Sequence, residues 1–180
     1  MPTNDELLDL YATASEWTLG KATRAAGQLD ASTPCERWDV RDLLNHMLET
    51  QQYFAGSASG EDVSPPGQDP PSLLGEDPPS DFQAARARTL RVFGEDGVIE
   101  RTGPSLGIAF SDQLLHGWDL ATATGQDATM PDGLAEAAYE IVHGAFTDDQ
   151  REGVFGPEIE VPDDAPAQDR LLAYTGRDPS

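Results

Sequence analysis

Apolar residues recur at intervals of three and four along most of this chain, which is the spacing of amphipathic helices. Capping residues and helix breakers divide that pattern into segments, among them Asp39 at a helix start and Gly125 at a helix end. The pattern predicts five helices: over about residues 5–28, from Asp39 to about residue 55, from Ser80 or Asp81 to Phe93, from Pro104 to Gly125, and from Leu134 towards the polar residues 147–150.

Two segments depart from the helical spacing. Ten glycines and prolines fall within residues 56–79, so we expect a long loop there, and an insertion rather than a lid because it carries no aromatic or basic cluster. Residues 150–180 form a tail. Within it, residues 158–162 alternate polar and apolar between prolines, which allows a short extended edge at best, and residues 169–174 favour a short helical turn.

Five helical patterns, without a convincing strand pair or an internal repeat, predict an all-α helical bundle with the fourth helix at its centre. A length of 180 residues fits a single domain, residues 1–180.

Charge and composition exclude several functions. With 11 Lys and Arg against 33 Asp and Glu, the net charge is −22, which repels nucleic acids and anionic membrane surfaces. The only cysteine permits no intrachain disulfide, and neither a signal peptide nor an apolar membrane span is evident, so we expect a cytoplasmic protein. Phosphate-binding loops and the Gly-x-Ser-x-Gly motif of serine hydrolases are also missing from the sequence.

Asp112 and His116 stand four residues apart, so they lie on the same face of the predicted fourth helix. That helix is apolar around most of its circumference, and its buried polar groups need partners, of which a metal ion is one. His46 lies at the rim of the apolar stripe of the second helix. Two imidazoles and one carboxylate are the ligands of hydrolytic zinc sites and of non-haem iron sites. From spacing alone, an ordinary hydrogen bond along one helix face explains the Asp112–His116 pair equally well.

Three further residues carry open alternatives. Asp119 could orient the His116 ring, but we favour a solvated carboxylate. His143 could be a fourth ligand or a base near the site, but we favour an isolated helix histidine. Cys35 precedes a helix start, which can make a thiol reactive, but we favour a buried small apolar side chain.

Three segments taken together, residues 33–46, 112–121 and 169–179, resemble the mycothiol-dependent maleylpyruvate isomerase-like metal-binding family, a branch of the DinB-like metalloenzymes. The resemblance implies a DinB-like four-helix bundle with an extra short helix and an irregular C-terminal tail. It also implies a divalent metal held by His46, Asp112 and His116, with zinc favoured and nickel, iron or manganese open, and mycothiol as a thiol cofactor.

The resemblance therefore implies a small metalloenzyme, a thiol transferase or isomerase-like protein, acting on a small-molecule thiol or an electrophilic substrate, with a homodimer expected by analogy. Two departures bear on the reaction. Asp112 stands where the isomerases have glutamate, and the chain ends before their additional C-terminal domain, which argues against isomerisation itself. The alternatives are a non-catalytic metal-binding or stress-response bundle, and a bundle in which the three residues are unrelated.

Overall fold

The computed structural model describes residues 2–146, 151 and 154–179. The described part of the chain is helical and contains no named β-strand. Its helices are α1 (Asn4–Ala25), α2 (Val40–Ala58), α3 (Pro78–Phe93), α4 (Val98–Thr102), α5 (Ser105–Ala123), α6 (Leu134–Ala145) and α7 (Ala167–Tyr174). The all-α prediction is confirmed. None of these helices is both long enough and apolar enough to cross a membrane.

Helices α1, α2, α3 and α5 form the four-helix core: α1 packs against α5 and α3, and α2 packs against the same two helices. Most residues of α5 are buried, as expected for its central place. A glycine, Gly117, lets α1 approach closely, since a Cβ atom there would lie only 2.6 Å from the ring of Trp17. Helix α6 packs on α5, and α7 packs on α6.

Side-chain caps explain where the first three helices start. Thr3 with Glu6, and Asp39 with Asp42, form reciprocal capping boxes at α1 and α2. Asp77 caps α3, which starts at Pro78, two or three residues before the predicted start, because prolines are tolerated in a first helical turn.

The structure corrects several predicted boundaries. Helix α1 ends at Ala25 rather than near residue 28, and α2 continues to Ala58, into the predicted loop. The short helix α4 lies between the third and fourth predicted helices, in a segment for which the spacing predicted no helix. Residues 158–162 form no named strand, although the Ile159 N–H donates a hydrogen bond to the Ala173 carbonyl at 3.0 Å.

Candidate metal centre

His46 on α2 meets Asp112 and His116 on α5 at the contact between the two helices. The Oδ1 atom of Asp112 lies 3.8 Å from Nε2 of His46 and 3.5 Å from Nε2 of His116. Each of the three residues offers one ligand atom, and these atoms all lie within 4.8 Å of one another. The structure thus brings together the three residues singled out in the sequence.

The two distances from Oδ1 of Asp112 to the imidazole nitrogens fit a single cation. Zinc bonds of about 2.0 to 2.1 Å in tetrahedral geometry place neighbouring ligand atoms roughly 3.3 Å apart. The 3.5 and 3.8 Å distances exceed that value by only a few tenths of an ångström. The donor set, two imidazoles and a carboxylate, suits zinc and other divalent first-row metals.

Asp112 is held on its other side by a neighbouring hydroxyl group. The Thr50 hydroxyl donates a hydrogen bond to Oδ2 of Asp112 at 2.9 Å, and the Gln113 side-chain amide approaches the same atom at 3.4 Å. With Oδ2 engaged in this way, Oδ1 is left facing the two imidazole rings. Such support fixes the orientation of a ligand carboxylate.

Asp119 is completely buried, so the expectation of a solvated carboxylate is wrong. Its Oδ2 atom lies 2.9 Å from Nδ1 of His116, which fixes the orientation of that ring and leaves Nε2 directed at Asp112. The charge of Asp119 is balanced by Arg177, whose Nε and Nη2 atoms donate to the two carboxylate oxygens at 2.9 and 2.7 Å. A buried carboxylate needs such a partner.

The turn that ends α7 directs Arg177 to this carboxylate. The N–H of Gly176 donates to the Ala173 carbonyl and that of Arg177 to the Leu172 carbonyl, at 3.1 and 2.8 Å, which is the Schellman pattern. Gly176 has φ of +76°, and a Cβ atom there would lie 2.6 Å from the backbone of Gly156. Glycine is therefore required at position 176 for both conformation and space.

His46 is oriented by packing. Its ring lies against the indole of Trp38, with centroids 4.4 Å apart, and Nδ1 is buried without a hydrogen-bond partner among the described residues. Burial lowers the pKa of His46 to about 4, helped by the nearby His116 and opposed by Asp112. A neutral imidazole at pH 7 keeps the lone pair that a metal ligand needs.

The pKa of His116 is shifted in the opposite direction. Burial acts to lower the pKa of His116, but the charge of Asp112 and the hydrogen bond to Asp119 outweigh it and raise the pKa to about 10. The positive form of the ring is thus stabilised by two carboxylates, and a divalent cation would replace the proton on its Nε2.

A second group of potential ligands, formed by Cys35, His116 and Asp119, shares the same histidine. A cation there would face the Arg177 guanidinium, which already uses both oxygens of Asp119. Charge repulsion therefore favours the site at His46 and Asp112. Cys35 itself is only partly buried and lies with its Sγ 3.5 Å from Oδ2 of Asp119, so the expectation of a buried apolar side chain is wrong in this respect.

A cavity of about 660 Å³ opens on the three candidate ligands. The turn before α2, helices α5 and α6, and the tail enclose it. Pro66, Gly67 and Gln68 of the proline-rich loop also line it, contrary to the expectation of a plain insertion. The Trp38 indole N–H donates to the Gln68 carbonyl at 3.0 Å, which ties this loop to the residue that packs on His46.

His143 lies outside this centre, as the sequence interpretation favoured. Its exposed side chain packs against Tyr139 and Tyr174, with ring centroids 5.4 and 5.2 Å away. Sequence reasoning did not identify Thr50, Trp38 or Arg177 as parts of the centre. The Thr-Gly-Arg segment after α7 could have indicated that Arg177 points back towards the helices. A glycine just past a helix end often reverses the direction of the chain.

The family described as "Mycothiol maleylpyruvate isomerase N-terminal domain" matches residues 12–121, a range that includes all three candidate ligands. Uncharacterized proteins from two strains of Mycobacterium tuberculosis are each 30% identical over 166 residues, covering 84% of this chain and 86% of theirs. No solved structure matches the chain significantly.

Proposed function

Because the chain belongs to the mycothiol maleylpyruvate isomerase N-terminal domain family, we propose that it is a cytoplasmic metalloenzyme that acts on a small-molecule thiol. His46, Asp112 and His116 hold one divalent cation, with zinc as the first candidate. The observation that carries the proposal is the convergence of their ligand atoms to within 4.8 Å of one another beside a cavity.

The cation would lower the pKa of a thiol or of water and so supply a nucleophile at neutral pH. The protein contributes the positions of the ligands. Asp119 fixes the His116 ring, Thr50 fixes Asp112, and Trp38 packs on His46. The cavity would hold the reacting molecules beside these groups.

The reaction class that best suits this arrangement is transfer of a thiol, with mycothiol as the first candidate, to an electrophile. The sulfur forms a bond to the electrophilic carbon, the leaving group departs with its electron pair, and the thiol proton is released to solvent. The family name supports the choice of thiol.

Metal binding is tested with single variants. Protein purified without chelator is expected to contain about one equivalent of metal, and metal-free protein to bind zinc at a single site by calorimetry. His46→Gln, Asp112→Asn and His116→Gln should each weaken binding at least tenfold. His143→Gln is the matched control, because this exposed histidine lies outside the centre. Metal-free protein that binds no divalent cation would remove the proposal.

Catalysis is tested separately. Zinc-loaded protein with mycothiol and 1-chloro-2,4-dinitrobenzene should form the thioether and chloride faster than the uncatalysed reaction, and Asp112→Asn should abolish the difference. Tight, stoichiometric metal binding without turnover by any metal or thiol would instead favour the non-catalytic metal-binding bundle.

A further inference from the structure

The cavity beside the candidate ligands has a largely apolar wall. Its apolar side chains come from α5, from α6 and the residue after it, and from the tail: Ile108, Leu115, Val142, Phe146, Val154 and Phe155. Ile108 and Leu115 lie about one helical turn on either side of Asp112, so the apolar wall is continuous with the candidate metal centre. Val154, at 57%, is an exposed large hydrophobic residue.

The cationic side chains that line the cavity are each paired with a carboxylate. Among the described lining residues, Glu36, Asp112 and Asp119 are carboxylates, Arg177 is a cation, and His116 lies between Asp112 and Asp119, which stabilise its positive form. The Nε and Nη2 atoms of the Arg177 guanidinium group donate to the two oxygens of Asp119, so its charge is balanced there, and Nη1 lies 3.5 Å from the Thr175 carbonyl. Arg177 therefore offers an entering anion no net positive charge.

Two other cationic residues, Arg37 and Lys21, are engaged elsewhere. Arg37 follows the cavity-lining Glu36, but it contacts the side chains of Gln68 and Asp69 and does not line the cavity. The sole lysine, Lys21, donates to the Asp127 carbonyl at 2.6 Å, away from the cavity lining.

An anionic group that enters this cavity loses water without gaining a cationic side chain that is not already paired with a carboxylate. The divalent cation could satisfy one carboxylate, but a second would lie among apolar side chains and carboxylates. A dicarboxylate such as maleylpyruvate, which the family name mentions, is thus a poor fit to this chain.

We infer that the apolar wall formed by Ile108, Leu115, Val142, Phe146 and Phe155 receives an uncharged apolar group, so that the electrophilic substrate of this chain is neutral and apolar. The role of that group as a substrate rests on the proposed function, whereas the preference of the cavity for uncharged groups does not.

The preference is tested with two probes that differ essentially in charge, 1-naphthaleneacetamide and 1-naphthaleneacetate. Calorimetry or NMR titration of metal-free full-length protein should give at least tenfold tighter binding of the amide. Equal or tighter binding of the acetate would overturn the inference. Failure of the amide to bind up to its solubility limit would overturn it as well.

Variants at the exposed Val154 locate the binding, since substitution there should not disturb folding. Val154→Arg brings a free cation to the cavity and should tighten acetate binding several-fold while leaving amide binding nearly unchanged. Val154→Gln introduces a polar but uncharged side chain and should keep the ratio of amide to acetate affinity found for the unaltered protein. An unchanged ratio in Val154→Arg would show that the probes bind elsewhere, which overturns the inference.

Turnover separates this inference from the proposed function. Zinc-loaded protein with mycothiol should prefer 1-chloro-2,4-dinitrobenzene over the anionic 4-chloro-3,5-dinitrobenzoate by at least tenfold in kcat/KM, after each is corrected for its uncatalysed rate. Equal turnover of both would overturn the inference and leave the proposed function intact. Tighter binding of the amide probe without turnover of either chlorinated substrate would overturn the substrate assignment together with the proposed function.

Discussion

Arg177 donates hydrogen bonds from Nε and Nη2 to the two oxygens of Asp119, and Oδ2 of Asp119 in turn lies 2.9 Å from Nδ1 of His116. The residue that orients a candidate metal ligand is thus itself held by a residue 58 positions further along the chain. The C-terminal segment is therefore a structural part of the centre. This relationship can be tested without altering any candidate ligand.

Arg177→Lys should weaken zinc binding by about tenfold or more, because lysine keeps the charge but cannot bind both oxygens of Asp119. We also expect a lower melting temperature, since a buried carboxylate is left incompletely paired. Calorimetry and thermal unfolding measure the two effects. Arg88→Lys is the control, because Arg88 pairs with Glu61 outside the centre, at 2.6 Å. Equal zinc affinity in both variants would contradict the positioning role.

Thr50→Val should reduce zinc affinity about tenfold, because Oδ2 of Asp112 loses its hydroxyl donor while the shape of the side chain is nearly kept. The free energy of unfolding should fall by only about 1 kcal/mol, as is usual for one hydrogen bond. Thr23→Val serves as the comparison, since this exposed hydroxyl bonds only a carbonyl of its own helix. A change in stability without a change in zinc affinity would show that Thr50 does not support Asp112.

Zinc affinity should rise with pH. The pKa of His116, raised to about 10, means that the metal-free ring carries an extra proton at neutral pH, and this proton must leave before Nε2 can bind a cation. The pKa of His46, lowered to about 4, means that this ring is already neutral and releases nothing. Between about pH 6 and 8 the affinity should therefore increase about tenfold per pH unit, with release of about one proton.

Calorimetric titrations in two buffers of different ionisation enthalpy count that proton directly. Hydroxide competition for zinc is negligible in the lower half of this range, so the slope there is the cleanest measurement. An affinity independent of pH, with no proton released, would contradict the raised pKa of His116.

Gly176→Ala should destabilise the protein by more than about 2 kcal/mol, because a left-handed conformation and a clash with the Gly156 backbone act together. Gly20→Ala is the matched substitution, and it should increase the stability of the protein. Gly20 lies inside α1 with nothing within 4 Å of an added Cβ, so alanine should stabilise the helix by up to about 1 kcal/mol. Denaturant unfolding of the two variants gives both values, and similar effects would contradict the packing of Gly176 on Gly156.

Local patterns were enough for most of the fold. The three-to-four spacing located the long helices, and the four-residue interval placed Asp112 and His116 on one face of α5. The five-residue helix α4 was missed because it lies between Gly97 and Gly103, which indicate turns in the sequence.

The environment of the centre depended on contacts that no local pattern encodes. Asp119 looked like a surface carboxylate because its partner Arg177 is remote in sequence, and the pairing follows only once the turn after α7 brings Arg177 back to α5. Likewise, nothing in the spacing of the proline-rich loop indicated that Gln68 would accept a hydrogen bond from Trp38.

The packing of Trp38 on His46 gives the protein an intrinsic optical reporter. Of the three tryptophans in the sequence, Trp38 packs against the candidate ligand His46. Its indole N–H also donates a hydrogen bond to the proline-rich loop. Open-shell ions such as nickel or cobalt bound at this centre would quench the emission of that indole strongly, whereas closed-shell zinc would not. Comparing the emission spectra of the protein filled with each ion would therefore identify occupancy without any added dye.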